Sequence, residues 1–395
     1  MTSRPVRRPP RRGSLPRRSV LGLGAFGVLS LAACADPEPG ASAGGATSAA
    51  PGSASSTSGA AGWRMPDEGE RHTRTWMALG ATEEIWGADL VDAVWEDLAA
   101  VAAAISRFEP VSMLVRPDEM DLARELLDPA VELVALDIDD LWIRDTGPVF
   151  VTDGAQLAGV DFNFNGWGEK QEYAADALVA AAVLAETATR RLTTELVLEG
   201  GALEVDGRGT AIITKSCVLN DNRNPGWSAG DVEAELSRLL GIRKVIWLPG
   251  IAGKDITDGH TDFYARFVEP GVIVAALDED PESYDHEVTK EHLAILEAAT
   301  DVDGKPLQVH TLTAPYDIRA TDAGADFAAG YVNFYVCNGG VIAPQFGDKA
   351  ADAAAAKTLR EVFPDREVVQ VAIDAIAAGG GGIHCATQQQ PALEG

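Results

Sequence analysis

The chain has 395 residues and is strongly acidic, with 60 Asp and Glu against 32 Lys and Arg and a formal net charge of −28 at pH 7. This balance excludes a basic nucleic-acid surface and favours cationic ligands, although it also serves solubility. Its 4 cysteines are too few for a disulfide framework in a chain of this length, and no pair of them has the spacing of metal ligands.

The N-terminus has the features of an export signal. Seven arginines and no acidic residue precede an apolar run at 20–33 that is too short to span a bilayer. Arg17 and Arg18, followed by "SVLGLG", are similar to a twin-arginine signal, and "LAAC" at 31–34 resembles a bacterial lipobox. We therefore predict a signal peptide at 1–33, export from the cytoplasm and a lipid on Cys34 as the only membrane contact. A plain secretory peptide without lipid is the alternative.

Residues 34–62 consist almost entirely of Ala, Gly, Ser, Pro and Thr and are predicted to be a flexible tether. The remaining residues, 63–395, are enough for a large core. This length could form two domains, but closed repeat architectures of the same size form one. We predict a single catalytic domain over 63–395.

Helical and strand patterns alternate after the tether. Apolar residues at three- and four-residue spacing predict helices in "GADLVDAVWEDLAAVAAAISRF", "DEMDLARELL", "DVEAELSRLLG" and "DAAAAKTLREVF". Short apolar runs predict strands in "VSMLVR", "VELVALDI", "RKVIWLP" and "EVVQVAI". The fold class is therefore α/β.

Five segments share a second pattern, in which a short strand meets a glycine or an acid and another strand follows. Their markers are Asp145, Glu199, His260, Gly339 and Cys385, separated by 54, 61, 79 and 46 residues. Such spacing suggests five repeats around an axis. Strand ends from all five repeats would then meet at one pole and place these side chains around a central cavity.

Cys385 and His260 form the expected chemical pair, because a thiol far in sequence from a histidine is typical of a thiolate nucleophile with a proton-transfer partner. His384 is expected to point to the opposite face of an extended segment and to lie outside the site. His260 and Asp262 are two residues apart, so in a strand their side chains would lie on the same face. Carboxylates oppose thiolate formation unless the substrate is a cation such as a guanidinium, which binds carboxylates in bidentate pairs and lowers the thiol pKa.

Eight stretches between residues 65 and 391 resemble, in order, the agmatine deiminases of the guanidine-modifying superfamily. They are "MPDEGERHTRTWMA", "DDLWIRDTGPVFV", "FNFNGWGEK", "EGGALEVDGRGTAIITKSCVLNDNRNP", "KVIWLPG", "DGHTDFYARF", "YVNFYVCNGGVIAPQFGD" and "GGGGIHCATQQQP". The resemblance implies a single-domain propeller of five ββαβ blades. It also implies hydrolysis of agmatine to N-carbamoylputrescine and ammonia, as in putrescine formation, without a metal or an organic cofactor.

The resemblance also assigns roles to residues. Cys385 matches the nucleophile, and Asp145 and Asp262 match the carboxylates that bind the guanidinium nitrogens. His260 matches the general acid and base, and Glu199 matches the carboxylate that orients it.

Two further residues are expected to contact the substrate. Trp142 would line the aliphatic arm, and the glycine run ending at Gly382 would let the backbone approach the substrate closely. Trp76 and Trp167 are expected in the core, Cys217 and Cys337 as buried apolar residues. "LNDNRNP" is expected to be a turn network that supports a strand end.

The chain departs from the family where the far end of the substrate cavity is built. It has "WMALG" at 76–80 where the family has "WMAWP", and "ATEEIWG" after it is also unusual. The substrate tail is therefore open. Agmatine is the first expectation, free or peptide-bound arginine the second, and a lipoprotein that binds a polyamine-like cation without turnover the third. The expected partner is a small cationic guanidine, and no nucleic acid.

Overall fold

The computed structural model describes residues 62–320, 324 and 327–393. The predicted signal peptide, Cys34 and all of the predicted tether except its last residue lie outside this part of the chain. Of the helices in these ranges, none combines the length and the apolar character needed to span a bilayer.

The strands are β1 (His72–Ala78), β2 (Val111–Val115), β3 (Glu132–Ala135), β4 (Val149–Thr152), β5 (Leu157–Asp161), β6 (Arg190–Thr193), β7 (Leu203–Val205), β8 (Thr210–Thr214), β9 (Lys244–Leu248), β10 (Ala265–Glu269), β11 (Val272–Leu277), β12 (Gln308–Thr313), β13 (Tyr335–Cys337), β14 (Gly340–Gln345), β15 (Glu367–Ala372) and β16 (Gln388–Pro391). The helices are α1 (Glu83–Trp86), α2 (Val91–Ile105), α3 (Met120–Leu126), α4 (Ile143–Thr146), α5 (Val179–Glu186), α6 (Lys215–Val218), α7 (Ala229–Leu240), α8 (His286–Ala298), α9 (Lys349–Val362) and α10 (Asp374–Ala378).

The strands form five sheets that repeat one pattern. In four of them an antiparallel pair is followed by a helix and a third strand parallel to the second, in the orders β4-β5-β6, β7-β8-β9, β10-β11-β12 and β13-β14-β15. The remaining sheet has the order β16-β1-β2-β3, with β16 antiparallel to β1. The first and last strands of the described chain therefore belong to the same sheet. The α/β class is confirmed.

Local sequence explains the long helices. Helix α7 starts with a reciprocal cap, in which Asp231 N donates to Ser228 Oγ at 3.2 Å and Ser228 N donates to Asp231 Oδ2 at 2.8 Å. Helix α2 buries Val94, Leu98 and Val101 in the largest core cluster. These helices follow the predicted apolar spacing, whereas β1, α5 and α8 had not been predicted.

The segments that lead into the sheets are turns, so the expectation of an extended strand before each marker is wrong at four of the five. Ile143–Thr146 is a helical turn, Gly200–Ala202 and Thr261–Phe263 are 3₁₀ turns, and 383–386 is a turn before β16. These turns satisfy their own backbone groups locally, as in the hydrogen bond of 3.1 Å from Ala202 N to Glu199 O. These turns place the predicted site residues directly before strands β4, β7, β10 and β16, which belong to four different sheets.

Candidate active site

Five predicted side chains come together in one buried site, and three of them surround Gly201. They are Asp145, Glu199, His260, Asp262 and Cys385, and none is more than 6% exposed. A methyl group on Gly201 would lie 2.6 Å from His260 Nδ1, 2.9 Å from Asp145 Oδ1 and 3.2 Å from Asp262 Oδ2. These three side chains therefore surround a glycine that leaves room between them.

The Cys385 thiol lies against a carboxylate and an amide. Its Sγ is 3.5 Å from Asp262 Oδ2, and Asn333 Nδ2 donates to Sγ at 3.3 Å. Burial, together with Asp262 and Asp145, raises the pKa of Cys385 well above the ordinary thiol value. The thiol is therefore protonated in the free protein at neutral pH. Sequence reasoning missed Asn333, which lies 52 residues away in an otherwise apolar stretch.

His260 lies between two carboxylates. Its Nδ1 is 3.7 Å from Asp145 Oδ1 and its Nε2 is 3.5 Å from Glu199 Oε2. Burial works to lower the pKa of His260, but Asp145, Cys217 and Glu199 raise it well above its ordinary value. Within the described residues neither ring nitrogen has a hydrogen-bond partner. His260 is therefore a protonated imidazole whose N–H groups remain available.

Glu199 is held in place by Arg223, whose Nε donates to both carboxylate oxygens, at 2.7 Å and 3.0 Å. Burial alone would raise the pKa of Glu199, but Arg223 and His260 outweigh it and lower the pKa to about 2. Arg223 Nη1 also donates to Asp258 Oδ2 at 2.9 Å. The predicted "LNDNRNP" network thus holds Glu199 ionised as well as supporting a turn.

One cluster of potential metal ligands comes together in the described ranges, with donor atoms of Glu199, Cys217 and His260 within 4.8 Å of one another. Both Glu199 oxygens already accept from Arg223, and a protonated His260 offers no lone pair. The cluster therefore fits an ionic network better than a metal ion. Cys217 and Cys337 are buried free thiols, as predicted.

The expectation for His384 is wrong. Because residues 383–386 form a turn, its Nδ1 lies 2.8 Å from Asp262 Oδ2, and its Nε2 lies 2.8 Å from Glu68 Oε2. Burial works to raise the pKa of Asp262, but the hydrogen bond and charge of His384, together with the charges of His260 and Arg266, outweigh it and lower that pKa. Within the described residues Asp262 Oδ1 has no hydrogen-bond partner, so it can accept from a ligand. His260 and Asp262 are close, through a 3₁₀ turn rather than a strand.

Asp145 is held by two neutral donors. Gly201 N donates to Oδ1 and Trp167 Nε1 donates to Oδ2, both at 3.0 Å. The pKa of Asp145 is raised, mainly by burial and further by the charges of Asp262 and Glu199, while the charge of His260 acts to lower it.

Two tryptophans and the glycine run form one wall near the nucleophile. Trp86 and Trp142 lie 5.8 Å apart by ring centroids, and both indoles donate to Asp140, at 2.8 and 3.1 Å. A methyl group on Gly381 would lie 2.1 Å from the Trp142 ring, and one on Gly382 would lie 2.4 Å from Asn333 Oδ1. The glycines are therefore required by close packing against this wall.

A buried thiol, two carboxylates with acceptor capacity toward a cation and a protonated imidazole can attack a planar cation and protonate a departing amine. With the α/β fold, this set of groups defines the class of hydrolases that act on carbon–nitrogen bonds of guanidines.

The sequence profile of the Porphyromonas-type peptidyl-arginine deiminases matches residues 64–391, and the chain belongs to that family. A Streptomyces avermitilis protein, whose name gives agmatine deiminase as a provisional assignment, is 44% identical over 349 residues, 85% of this chain and 99% of its own. Agmatine deiminase from Stutzerimonas stutzeri is 41% identical over 84% of this chain and 96% of its own. The solved agmatine deiminase of Enterococcus faecalis superposes with a TM-score of 0.78 at 32% identity, over 84% of this chain and 96% of the other.

Proposed function

We propose that this protein hydrolyses the guanidinium group of agmatine, giving N-carbamoylputrescine and ammonia. The observation that carries the proposal is the position of the Cys385 sulfur, 3.5 Å from Asp262 Oδ2 in a site that also holds Asp145 and a protonated His260. Relatives named agmatine deiminase, similar over nearly their whole length, support the same substrate.

The substrate cation is bound by the Asp145 and Asp262 carboxylates, which accept hydrogen bonds from the guanidinium nitrogens. Its positive charge offsets the two acids that hold the thiol neutral, so Cys385 releases its proton to solvent when substrate binds. The thiolate then bonds to the guanidinium carbon and gives a tetrahedral adduct.

His260 transfers its proton to one nitrogen of this adduct, and the carbon–nitrogen bond breaks to release ammonia. The remaining S-alkylthiouronium is attacked by water, from which His260, now neutral, takes a proton. The hydroxyl of this second adduct then loses its proton to solvent as the carbon–sulfur bond breaks, so the ureido product leaves and the thiolate is regenerated. Glu199, ionised by Arg223, stabilises the imidazolium at the start and end of this cycle.

The enclosed wall of Trp86 and Trp142 favours a slender alkylamine tail over a peptide. Trp142 is 6% exposed and packs against Gly381, so little room remains for a polypeptide at this side. In this proposal Trp142 lines the aliphatic arm, and the backbone at Gly382 contacts the guanidinium end.

The test incubates the purified full-length protein with agmatine, free arginine and an arginine-terminated peptide, and measures the ureido product and ammonia. We expect turnover of agmatine with kcat/KM at least tenfold above the other two. Cys385→Ser, the matched control, should abolish turnover while agmatine still binds. A higher kcat/KM for arginine or for the peptide would show that the protein is an arginine deiminase and not an agmatine deiminase. Binding without product in the wild type would favour a non-catalytic binding protein.

We further propose that the five sheets are the blades of a propeller, formed by residues 63–395 as one domain. Their shared strand pattern and the sheet that joins β16 to β1 support this arrangement. Small-angle scattering of the protein should then fit a single compact ring of blades, and a two-lobed envelope would contradict it.

Export with lipidation at Cys34 is also proposed, on the basis of the twin arginines and the "LAAC" stretch. Residues 34–62 would then act as the tether. Detergent-phase partitioning of the protein from cells should be lost in Cys34→Ala and retained in Cys217→Ala. Equal partitioning of both variants would contradict lipidation.

A further inference from the structure

The segment "NGWGEK" contains a backbone feature that no assignment so far uses. Four successive residues, Gly166–Glu169, have positive φ angles of 66°, 56°, 87° and 60°. Two of them are not glycine, and a residue with a Cβ is strained in this left-handed region because its Cβ approaches the following carbonyl oxygen. Strain of this kind persists only where surrounding contacts hold it, and it collects at functional sites.

Several contacts hold this left-handed turn. Asn165 Oδ1 accepts from Gly168 N at 2.8 Å, and Asn165 Nδ2 donates to Asn222 O at 3.0 Å. Just after the turn, Lys170 Nζ donates to Asp258 Oδ2 at 2.6 Å. A methyl group on Gly168 would lie 2.5 Å from Asn222 Cγ, so the turn is packed tightly as well as bonded.

The turn has one consequence inside the site. It buries Trp167 to 2% exposure, sets its ring edge-on to Phe164 with centroids 5.0 Å apart, and aims Nε1 at Asp145 Oδ2, 3.0 Å away. In the part of the chain that the structure describes, no arginine or lysine side chain donates to Asp145. Its ion-pair partner there is His260, at 3.7 Å from Oδ1, so the indole N–H is the donor that determines how Oδ2 is presented.

We propose that Trp167 is a positioning residue for the reaction: its N–H, held in place by the strained left-handed turn, orients the Asp145 carboxylate toward the substrate guanidinium and favours its ionised form. The inference rests on the proposed function, because it concerns binding of the guanidinium. Glu199, Asp262, His260 and Cys385 are the other titratable groups that face Asp145.

The test compares two substitutions of buried tryptophans, both made in the Cys385→Ser background so that agmatine binds without turnover. Trp167→Phe removes the N–H and keeps an aromatic ring. Trp76→Phe is the matched control, since Trp76 is 0% exposed and donates to Gln390 Oε1 at 3.1 Å, away from Asp145. The measurement is the dissociation constant of agmatine by calorimetry between pH 5 and 9.

Trp167→Phe should weaken agmatine binding about 10- to 100-fold at neutral pH, since a hydrogen bond to a charged group is lost. Because the carboxylate then protonates more easily, the acidic side of the binding profile should move to higher pH. Trp76→Phe should retain both the affinity within about threefold and the shape of the profile. A Trp167→Phe profile that superposes on the control would overturn the inference, and so would an equal loss in both variants with unchanged profiles.

If Trp167→Phe does not fold, Asn165→Ala decides, because it removes the support of the turn and leaves the indole in place. The same shift of the acidic side, smaller in size, is expected, and an unshifted profile would overturn the inference. Wild-type turnover of agmatine, measured in parallel, separates the two proposals. Turnover with an unshifted Trp167→Phe profile refutes only the role of Trp167, whereas no turnover refutes the proposed function and this role with it.

Discussion

Gly201→Ala adds one methyl group at the centre of the active site. The backbone of Gly201 is not in the left-handed region, so alanine is conformationally allowed and the effect is steric. The added carbon would lie 2.6 Å from His260 Nδ1 and 2.9 Å from Asp145 Oδ1, and the tightest ordinary contacts of such a carbon begin near 3.4 Å. His260 must therefore retreat by about 0.8 Å if the backbone does not move.

A displacement of about 1 Å in a reacting group costs about 100-fold in rate, because the bound geometry is no longer the one that reacts. We expect kcat for agmatine to fall by about that factor in Gly201→Ala. The fall in kcat should exceed the change in KM, since Asp262 lies farther from the new methyl group, at 3.2 Å, and still binds the cation.

The assay is initial-rate ureido formation across agmatine concentrations, with thermal unfolding of each variant. Gly230→Ala is the matched control, because its methyl group would lie 3.7 Å from Ser228 Oγ and nowhere near the site. The control should keep wild-type kcat and gain slightly in stability, since alanine is the better helix former. A Gly201→Ala enzyme within threefold of wild-type kcat would show that the three side chains do not act from the positions described here.

Two further variants test other groups. Cys217→Ala should keep kcat and KM within about threefold, because its buried thiol lies beside Glu199 Oε2 at 3.6 Å and Arg223 still bonds to both oxygens of that carboxylate in the variant. Cys337→Ala is the control, and a tenfold loss specific to Cys217→Ala would make that thiol part of the chemistry. Asp176→Asn should raise the melting temperature more at pH 8 than at pH 5. Burial raises the pKa of Asp176 from 3.8 to about 8, so the folded wild-type protein binds this proton more tightly than the unfolded chain does. The wild type therefore loses stability as the pH rises between these two values, and a neutral asparagine avoids that loss. Asp153→Asn, at a partly exposed carboxylate, is the control, and an equal gain at both pH values would contradict this reasoning.

The parts of the fold that the sequence predicted are those with local signals. Helices α2, α7 and α9 follow three- and four-residue apolar spacing, and β2, β9 and β15 are short apolar runs. The spacing of Asp145, Glu199, His260 and Cys385 predicted that distant segments meet around one cavity, although as strand ends and not as the turns that are found. Helix α5 was not predicted because Val179–Glu186 is apolar on nearly all sides and shows little alternation of apolar and polar residues at helical spacing.

The parts that the sequence did not predict depend on partners far along the chain. Asn333 and His384 are recognised as neighbours of the site only when the turn at 383–386 is known. If these residues are assumed to be extended, the His384 side chain is placed on the face opposite to the site. Trp167 presents a similar difficulty. A tryptophan in a left-handed turn has no sequence signal except its flanking glycines, and these are equally compatible with an ordinary loop.

The electrostatics of the site join substrate binding to the reactivity of the thiol. In the free protein, burial and two nearby carboxylates hold the pKa of Cys385 well above its ordinary value, so the nucleophile is neutral and weakly reactive. A guanidinium between Asp145 and Asp262 offsets part of this negative charge and favours the thiolate. The reaction then converts this cation into a neutral ureido group, which removes the attraction to both carboxylates. The same charge that activates the thiol on binding is therefore absent from the product, so product release and reprotonation of Cys385 follow from one electrostatic change.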